Sequence, residues 1–174
     1  MAKIRGALVA VTIFTFVLGT PGLARAAGGD YAAGGGTESS QAGGLTFHFG
    51  FSIRGSGTGT DAAGMLTATT DFPGVGHVTF VAAMTCLDEV AVPGVGIAAG
   101  AAGHIIATNA NTLLPIGSIL HTNLFDTIDA TAAPDQFAGG SGPDDSHCSP
   151  DFTVLHAPFY AVTSGNILIT QDRS

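Results

Sequence analysis

The stretch from His77 to Leu87, HVTFVAAMTCL, constrains the fold of this chain more than any other part of the sequence. Successive side chains of an extended segment point to opposite faces, and here one of the two faces is apolar throughout. That face consists of Val78, Phe80, Ala82, Met84 and Cys86. Val, Thr and Phe favour a pleated surface, and Pro73-Gly74 and Asp88-Glu89 bound the stretch. The sequence predicts a strand that ends near Cys86.

The two cysteines of the chain, Cys86 and Cys148, predict one disulfide. In an exported protein two cysteines most simply pair with each other. Closing this long loop would stabilise the fold by about 4 kcal/mol in the chain-entropy model. The alternative is a reactive thiol. Zinc is not expected, because no Cys-x-x-Cys or paired histidine completes a ligand set.

Residues 1–26 have the pattern of a secretory signal peptide. A basic start with Lys3 and Arg5 precedes the apolar run 6–19, and Ala24-Arg25-Ala26 is a small-x-small cleavage pattern. The alternative is an uncleaved membrane anchor, but the run is shorter than the roughly 20 residues that span a bilayer. We therefore expect secretion, with no transmembrane segment left after cleavage.

The mature chain is predicted to be strongly acidic. Removal of residues 1–26 leaves 148 residues, in which Arg54 and Arg173 stand against 13 acidic side chains, a formal charge of −11. Such a domain repels nucleic acid and anionic lipid surfaces, so neither is expected as a partner. The high apolar content of the chain, 45%, argues against a disordered acidic tail. About 148 residues suffice for one core.

Residues 27–44, rich in Gly, Ala and Ser, are predicted to be a flexible leader, and 45–174 a single β-domain. The domain opens on the clearest alternation of the chain, with one face formed by Leu45, Phe47, Phe49, Phe51 and Ile53. His48 is expected on the exposed face. Together with Phe80 and Met84, the phenylalanines either fill a core, which we expect, or line a cavity for an apolar ligand.

Further short strands are separated by Gly and Pro turns. They are predicted near residues 65–70, 89–92, 95–99, 103–108, 118–126, 151–156 and 165–171. No amphipathic helix is evident. Eight or nine strands at this spacing predict an all-β fold, either an antiparallel β-sandwich or a small β-barrel. The segment 129–150 is predicted to be a long loop that is functional or held by its cysteine.

Several short motifs occur together along the chain. They are Thr85-Cys86-Leu87 at a strand end, the segments 126–129 and 135–139, a second cysteine in a Gly/Pro/Asp loop, and the closing segment 163–169. In this combination the chain resembles a group of short secreted bacterial all-β proteins without an assigned activity. The resemblance covers most of the mature chain. It implies an all-β fold and export, and it transfers no catalytic residues.

The acidic loop is the best candidate for a metal site. The calcium ligands that it offers are Asp126, Asp129, Asp135, Asp144 and Asp145. Calcium binds six to eight hard oxygens, which carboxylates and backbone carbonyls freed by Gly and Pro can supply. The spacing differs from the helix-loop-helix calcium pattern, and the alternative is a solvated acidic loop. No other cofactor is predicted.

The sequence favours a secreted, non-enzymatic domain that acts in binding or in cell-surface association. One alternative is a calcium-stabilised binding domain. Another is a small extracellular hydrolase or isomerase that uses His147 or His156 with a nearby aspartate. Gly-x-Ser-x-Gly is absent, however. A glycosidase pair that includes Asp88 or Glu89 is also conceivable, but without tryptophan the chain has few aromatic platforms for sugars.

Overall fold

The computed structural model describes residues 29–39, 44–55, 61–129, 133–142, 148 and 160–171. Within these ranges the chain forms strands and turns and no helix, which confirms the all-β prediction. No helix of these ranges is therefore long and apolar enough to cross a membrane. The predicted signal peptide, residues 1–26, lies outside the described residues.

Eight antiparallel strands close into a barrel. They are β1 (Tyr31–Ser39), β2 (Thr46–Gly55), β3 (Ala62–Phe72), β4 (Gly76–Val92), β5 (Gly96–Thr108), β6 (Ile119–Thr127), β7 (Gln136–Gly142) and β8 (Tyr160–Thr170). Each strand pairs with its neighbours in sequence, and β8 pairs with β1. Of the two predicted architectures, the barrel is observed and the sandwich is not. Closure pairs the first strand with the last, so that no strand is left as an edge.

Two of the hairpins turn on the Pro-Gly pairs that the sequence marks as turns. The N–H of Val75 donates to the carbonyl of Phe72 at 3.1 Å, and the N–H of Val95 donates to that of Val92 at 3.0 Å. Gly74 and Gly94 have φ angles of 78° and 75°. This left-handed region is open to glycine at little cost, so Pro-Gly suits both turns.

The phenylalanine row of β2 faces the barrel interior, as predicted. Phe49 and Phe51 are buried, and Phe49 also stacks on Phe137 of β7 with ring centroids 4.1 Å apart. Each fully buried large side chain contributes about 1.5–3 kcal/mol to folding. His48 lies on the exposed outer face, as expected. The middle of the barrel is a packed core rather than an open channel.

The structure corrects the prediction of a flexible leader over residues 27–44. Tyr31–Ser39 forms β1, which pairs with β2 on one side and β8 on the other. This strand is built from small residues because its neighbours crowd it. A Cβ on Gly34 would lie 3.1 Å from the ring of Phe51, and one on Gly36 would lie 2.8 Å from a methyl group of Val162. The domain therefore begins before residue 45.

The two longest strands are continuous where the sequence predicts separate short ones. The predicted segments 77–87 and 89–92 merge in β4, and 95–99 and 103–108 merge in β5. The register shifts between Met84 and Cys86. Because of this bulge, Leu87 rather than Cys86 continues the core row. Cys86 is buried outside the core cluster. The prediction that it shares the apolar face of Phe80 and Met84 is therefore wrong.

The predicted loop 129–150 contains β7, while the predicted strand 151–156 lies outside the described residues. β7 and β8 are strongly staggered, since the described pairing joins Gln136 to Ala161 and Phe137 to Tyr160 at the first residues of both strands. The remainder of β8 runs past the start of β7.

Two aspartates fill this gap in the hydrogen-bond ladder. The carboxylate of Asp135 accepts the N–H of Ile167 at 2.7 Å, and that of Asp126 accepts the N–H of Ile169 at 2.8 Å. Asp135 also accepts the N–H and the hydroxyl of Thr127, at the end of β6. Side-chain oxygens thus replace strand carbonyls where β8 passes β6.

Candidate functional site

Glu38 is an acidic side chain inside the barrel. It is the next-to-last residue of β1 and pairs with Phe47 of β2 and Val162 of β8. Directly paired residues of an antiparallel ladder share one face of the sheet, and Val162 belongs to the core cluster. Glu38 therefore faces the interior, and it is only 3% exposed.

Glu38 belongs to a row of interior residues that crosses neighbouring strands at one end of the barrel. Phe47 pairs with Glu38 on one side and with Thr70 of β3 on the other. Phe72, two residues beyond Thr70, packs its ring edge-on against Phe47 with centroids 6.2 Å apart. We call Glu38, Phe47, Thr70 and Phe72 the Glu38 mouth. It combines one acid and one hydroxyl with two partly exposed aromatic rings.

Two side-chain oxygens of the Glu38 mouth lack hydrogen-bond partners within the described residues. Glu38 Oε2 and Thr70 Oγ1 are both buried without one. A buried polar atom without a partner costs about 1–3 kcal/mol, and most buried polar atoms in native proteins are therefore paired. Both atoms therefore keep hydrogen-bonding capacity that the described residues do not use.

Burial changes the acidity of Glu38. Desolvation disfavours the carboxylate and raises the pKa of Glu38 from 4.5 to about 7. The acid is therefore poised between its neutral and charged forms near neutral pH. A buried acid with a displaced pKa beside aromatic side chains is a typical feature of a binding or catalytic site.

A second buried glutamate, Glu89, lies at the opposite end of the barrel. β1 and β4 run in opposite directions, so Glu38 and Glu89, both near the C-terminal ends of their strands, are at opposite mouths. Glu89 pairs with Ala99 of the core cluster and is 7% exposed. Asp30, which precedes β1, lies at the same end.

The electrostatics of this second mouth differ from those of the first. Burial is the largest of the causes that together raise the pKa of Glu89 from 4.5 to about 8. The others are the negative charge of Asp30, a hydrogen bond shared with Asp30, and the negative charge of Asp88. Burial also raises the pKa of Asp88. Glu89 is thus a protonated acid beside other carboxyls at neutral pH.

Three of the five predicted calcium ligands lie in the part of the chain that the structure describes. Asp126 and Asp135 meet at the barrel seam, where both accept backbone amides. Asp129 is exposed beyond the end of β6. Asp144 and Asp145 lie outside the described residues. Among the residues that the structure places, no group of three or more His, Cys, Asp or Glu side chains is arranged to hold a metal.

The described histidines lie outside the barrel interior. His48, His77 and His104 are exposed, and His121 pairs with Ala102 on the outer face. His147 and His156, the predicted catalytic candidates, are outside the described residues. None of the described histidines therefore lies inside the barrel with Glu38.

One acid–histidine–hydroxyl arrangement occurs on the β3–β4 hairpin. His77 Nδ1 lies 3.2 Å from a carboxylate oxygen of Asp71, and its Nε2 lies 3.5 Å from the hydroxyl of Thr79. The side chains of His77 and Asp71 are 63% and 83% exposed. Catalytic triads activate their hydroxyl in a site that excludes water, so this exposed set is poorly suited to catalysis.

The predicted disulfide is present between Cys86 and Cys148, with the Cα atoms 5.8 Å apart. Cys86 pairs with Ala102, and Ala102 pairs with His121. These residues occupy the outer face of the barrel, because the adjacent Leu120 belongs to the core cluster. The disulfide therefore attaches Cys148 to the outside of the barrel, away from both mouths.

The sequence prediction missed the residues of the Glu38 mouth other than Phe47. Glu38 falls in the stretch that was expected to be a leader, and Thr70 and Phe72 lie where a short strand meets a turn. The interior face of β1 consists of Ala32, Gly34, Gly36 and Glu38, which are every second residue of the strand. Small residues hide such an alternation, since they carry little hydrophobic contrast.

Comparison with protein families, with curated proteins and with solved structures finds no match to this chain. Its function must therefore be argued from the geometry of its own residues.

Proposed function

We propose that the chain is a secreted, non-enzymatic binding domain that holds a small, largely apolar molecule at the Glu38 mouth. The observation that carries this proposal is the buried Glu38 carboxyl, whose Oε2 has no partner among the described residues, beside the similarly placed Thr70 hydroxyl. Small-molecule sites are typically apolar surfaces with a few polar groups that orient the ligand. The Glu38 mouth has this composition.

The packing of the barrel supports a site at its end rather than through its middle. An eight-stranded barrel is just wide enough to be filled by side chains or to hold one small ligand. Here the Phe49–Phe137 stack fills the middle, and Gly34 leaves space that the Phe51 ring occupies. Phe47 and Phe72, in contrast, are only partly buried. Their rings offer apolar contact to a molecule that enters from the mouth.

The row that contains Glu38 supports binding more than catalysis. Acid–base or nucleophilic chemistry needs a second group within reach of the first. The described histidines lie outside the barrel, and Asp30, Asp88 and Glu89 are at the opposite mouth. Glu38 has Thr70 and apolar side chains around it, a set that can orient a ligand.

Export is part of the same proposal. The predicted signal peptide and the resemblance to short secreted bacterial all-β proteins both favour it, and a disulfide is typical of oxidising compartments. An exported barrel with an apolar mouth is suited to collecting small molecules outside the cytoplasm.

The proposal can be tested with N-phenyl-1-naphthylamine, a neutral apolar dye whose fluorescence rises in apolar surroundings. We expect the dye to bind the full mature chain and to shift the amide NMR signals of residues near the Glu38 mouth. Phe72→Ala should weaken binding by about tenfold, because it removes an aromatic contact. Ile128→Ala, at an exposed position at the other end, is the control. An absence of binding, or amide shifts confined to the other mouth, would contradict the proposal.

A further inference from the structure

The charge of Glu38 has no counter-ion within the described residues. Arg54 is the one lysine or arginine in the described ranges, and it lies at the far end of β2, with its guanidinium 5.7 Å from the ring centroid of Tyr31. Burial is the cause of the displaced pKa of Glu38, with no opposite charge acting to lower it. Within the described ranges, the acid therefore has no cation to pair with, and a ligand can supply one.

We propose that the ligand of the Glu38 mouth is an organic cation, a small apolar molecule with one protonated amine. The ammonium group would donate hydrogen bonds to Glu38 Oε2 and Thr70 Oγ1, and the apolar part would contact Phe47 and Phe72. The inference rests on the proposed function, which requires only that the mouth bind a small apolar molecule.

The polar atoms of the mouth match the donors of an ammonium group. A carboxylate is an acceptor only, and a hydroxyl oxygen can accept as well as donate. An ammonium group has donors alone, so it matches both unpartnered oxygens in hydrogen-bonding character. Hydrogen bonds between ionised partners are about twice as strong as those between neutral ones.

The surroundings also favour a cation over an anion or a neutral molecule. Aromatic faces such as those of Phe47 and Phe72 attract cations through their electron-rich centres. The whole chain has a formal charge of −8, which raises the local concentration of cations and repels anions. A ligand carboxylate would be placed beside the buried acid of Glu38 and would be repelled.

Other titratable groups on the strands around Glu38 do not share its position. His48 on β2 and Asp71 on β3 are exposed on the outer face, and Arg54 is at the far end of β2. Tyr160 at the start of β8 is the exception, because it pairs with Phe137 of the core cluster and therefore faces the interior, but it carries a phenol and no carboxyl. The pH dependence of binding should therefore report the ionisation of Glu38.

The sign of that pH dependence separates a cationic ligand from a neutral one. An ammonium group binds the ionised acid, so its affinity should rise as the pH increases through about 7 and then stay constant until the amine itself loses its proton. A neutral ligand that accepts a hydrogen bond from the protonated acid would lose affinity over the same interval.

The test compares two probes of nearly equal shape, 2-phenylethylamine and 2-phenylethanol, by calorimetric titration of the full mature chain at about pH 8. The amine should bind at least about tenfold more tightly than the alcohol. Glu38→Gln should abolish this preference and leave alcohol binding intact. Glu89→Gln, the same substitution at the opposite mouth, should keep it.

Thr70→Val gives a second, independent variant should Glu38→Gln fail to fold. It keeps the side-chain shape, removes the hydroxyl acceptor and should lower amine affinity several-fold with little effect on the alcohol. Equal binding of both probes to the wild type would overturn the cation inference but not the proposed function. Loss of the preference in Glu89→Gln alone would overturn it too. Failure of both probes and of the neutral dye to bind would refute the proposed function itself.

Discussion

Asp135 joins two strands that do not pair with each other, because one of its carboxylate oxygens accepts the N–H of Ile167 at 2.7 Å while the other accepts Thr127. Asp135 precedes β7, Ile167 is in β8, and Thr127 ends β6. The stagger of β7 against β8 would otherwise leave the Ile167 amide without a strand carbonyl. Together with Asp126, which accepts the N–H of Ile169, this buried side chain closes the gap in the hydrogen-bond ladder.

Asp135→Asn should therefore destabilise the protein by about 2–3 kcal/mol, because an amide has one acceptor oxygen and its NH₂ group would face an N–H donor. Urea unfolding followed by circular dichroism would measure the loss. Asp129→Asn, at an exposed position nearby, serves as the control and should change the stability little. Equal effects of the two substitutions would show that the seam does not depend on Asp135.

The two interior glutamates predict that stability falls as the pH rises. Their folded-state pKa values, about 7 for Glu38 and about 8 for Glu89, lie above the ordinary value of 4.5. Between these limits the folded state binds more protons than the unfolded state, so the free energy of unfolding decreases with pH. Each group contributes a slope of up to about 1.4 kcal/mol per pH unit.

Glu89→Gln should remove the part of this slope that belongs to Glu89. The variant and the wild type should have similar stability near pH 5, where Glu89 is protonated, and the variant should be the more stable by roughly 2 kcal/mol near pH 9. Urea unfolding across this interval would measure both. A wild-type stability that rises from pH 5 to 8 would contradict the raised pKa values.

Gly36 inside the barrel and Gly50 on its outer face should respond differently to an added methyl group. Gly36→Ala should cost about 1–3 kcal/mol, because the added methyl group would meet Val162 and the carbonyl of Ser164. Gly50→Ala is the matched control on β2, since the nearest atom to its Cβ would be the Thr67 hydroxyl at 3.7 Å. Thermal unfolding should show a lower Tm for the first variant and an unchanged or higher Tm for the second.

The sequence predicts the β2 strand, the disulfide and the Pro-Gly turns, because large side chains or rare residue types specify them. The row of Phe47, Phe49 and Phe51 stands out because apolar and small or polar residues alternate without exception. The disulfide follows because two cysteines have only each other. Pro73-Gly74 identifies a turn because both residues have restricted or unusual backbone angles.

The remaining features depend on contacts between distant parts of the chain. β1 could not be recognised because its small residues are explained only by the Phe51 ring and the Val162 side chain of its neighbours. Glu38 was missed along with it. The hydrogen bonds that Asp126 and Asp135 accept could not be predicted, since the amides of Ile169 and Ile167 belong to β8, far along the chain. The bulge before Cys86 could not be predicted either, because the apolar residues of the sequence continue to alternate across it.

The pairing of Tyr31 with Thr170 places the opening residue of β1 beside the final residue of β8. During synthesis, β1 must wait until β8 emerges before its second neighbour arrives. Until then, the interior phenylalanines face water and both flanking edges are open to other chains. Folding of this protein should thus be a late, slow event governed by distant contacts, and a chaperone that shields nascent β-strands would increase its yield.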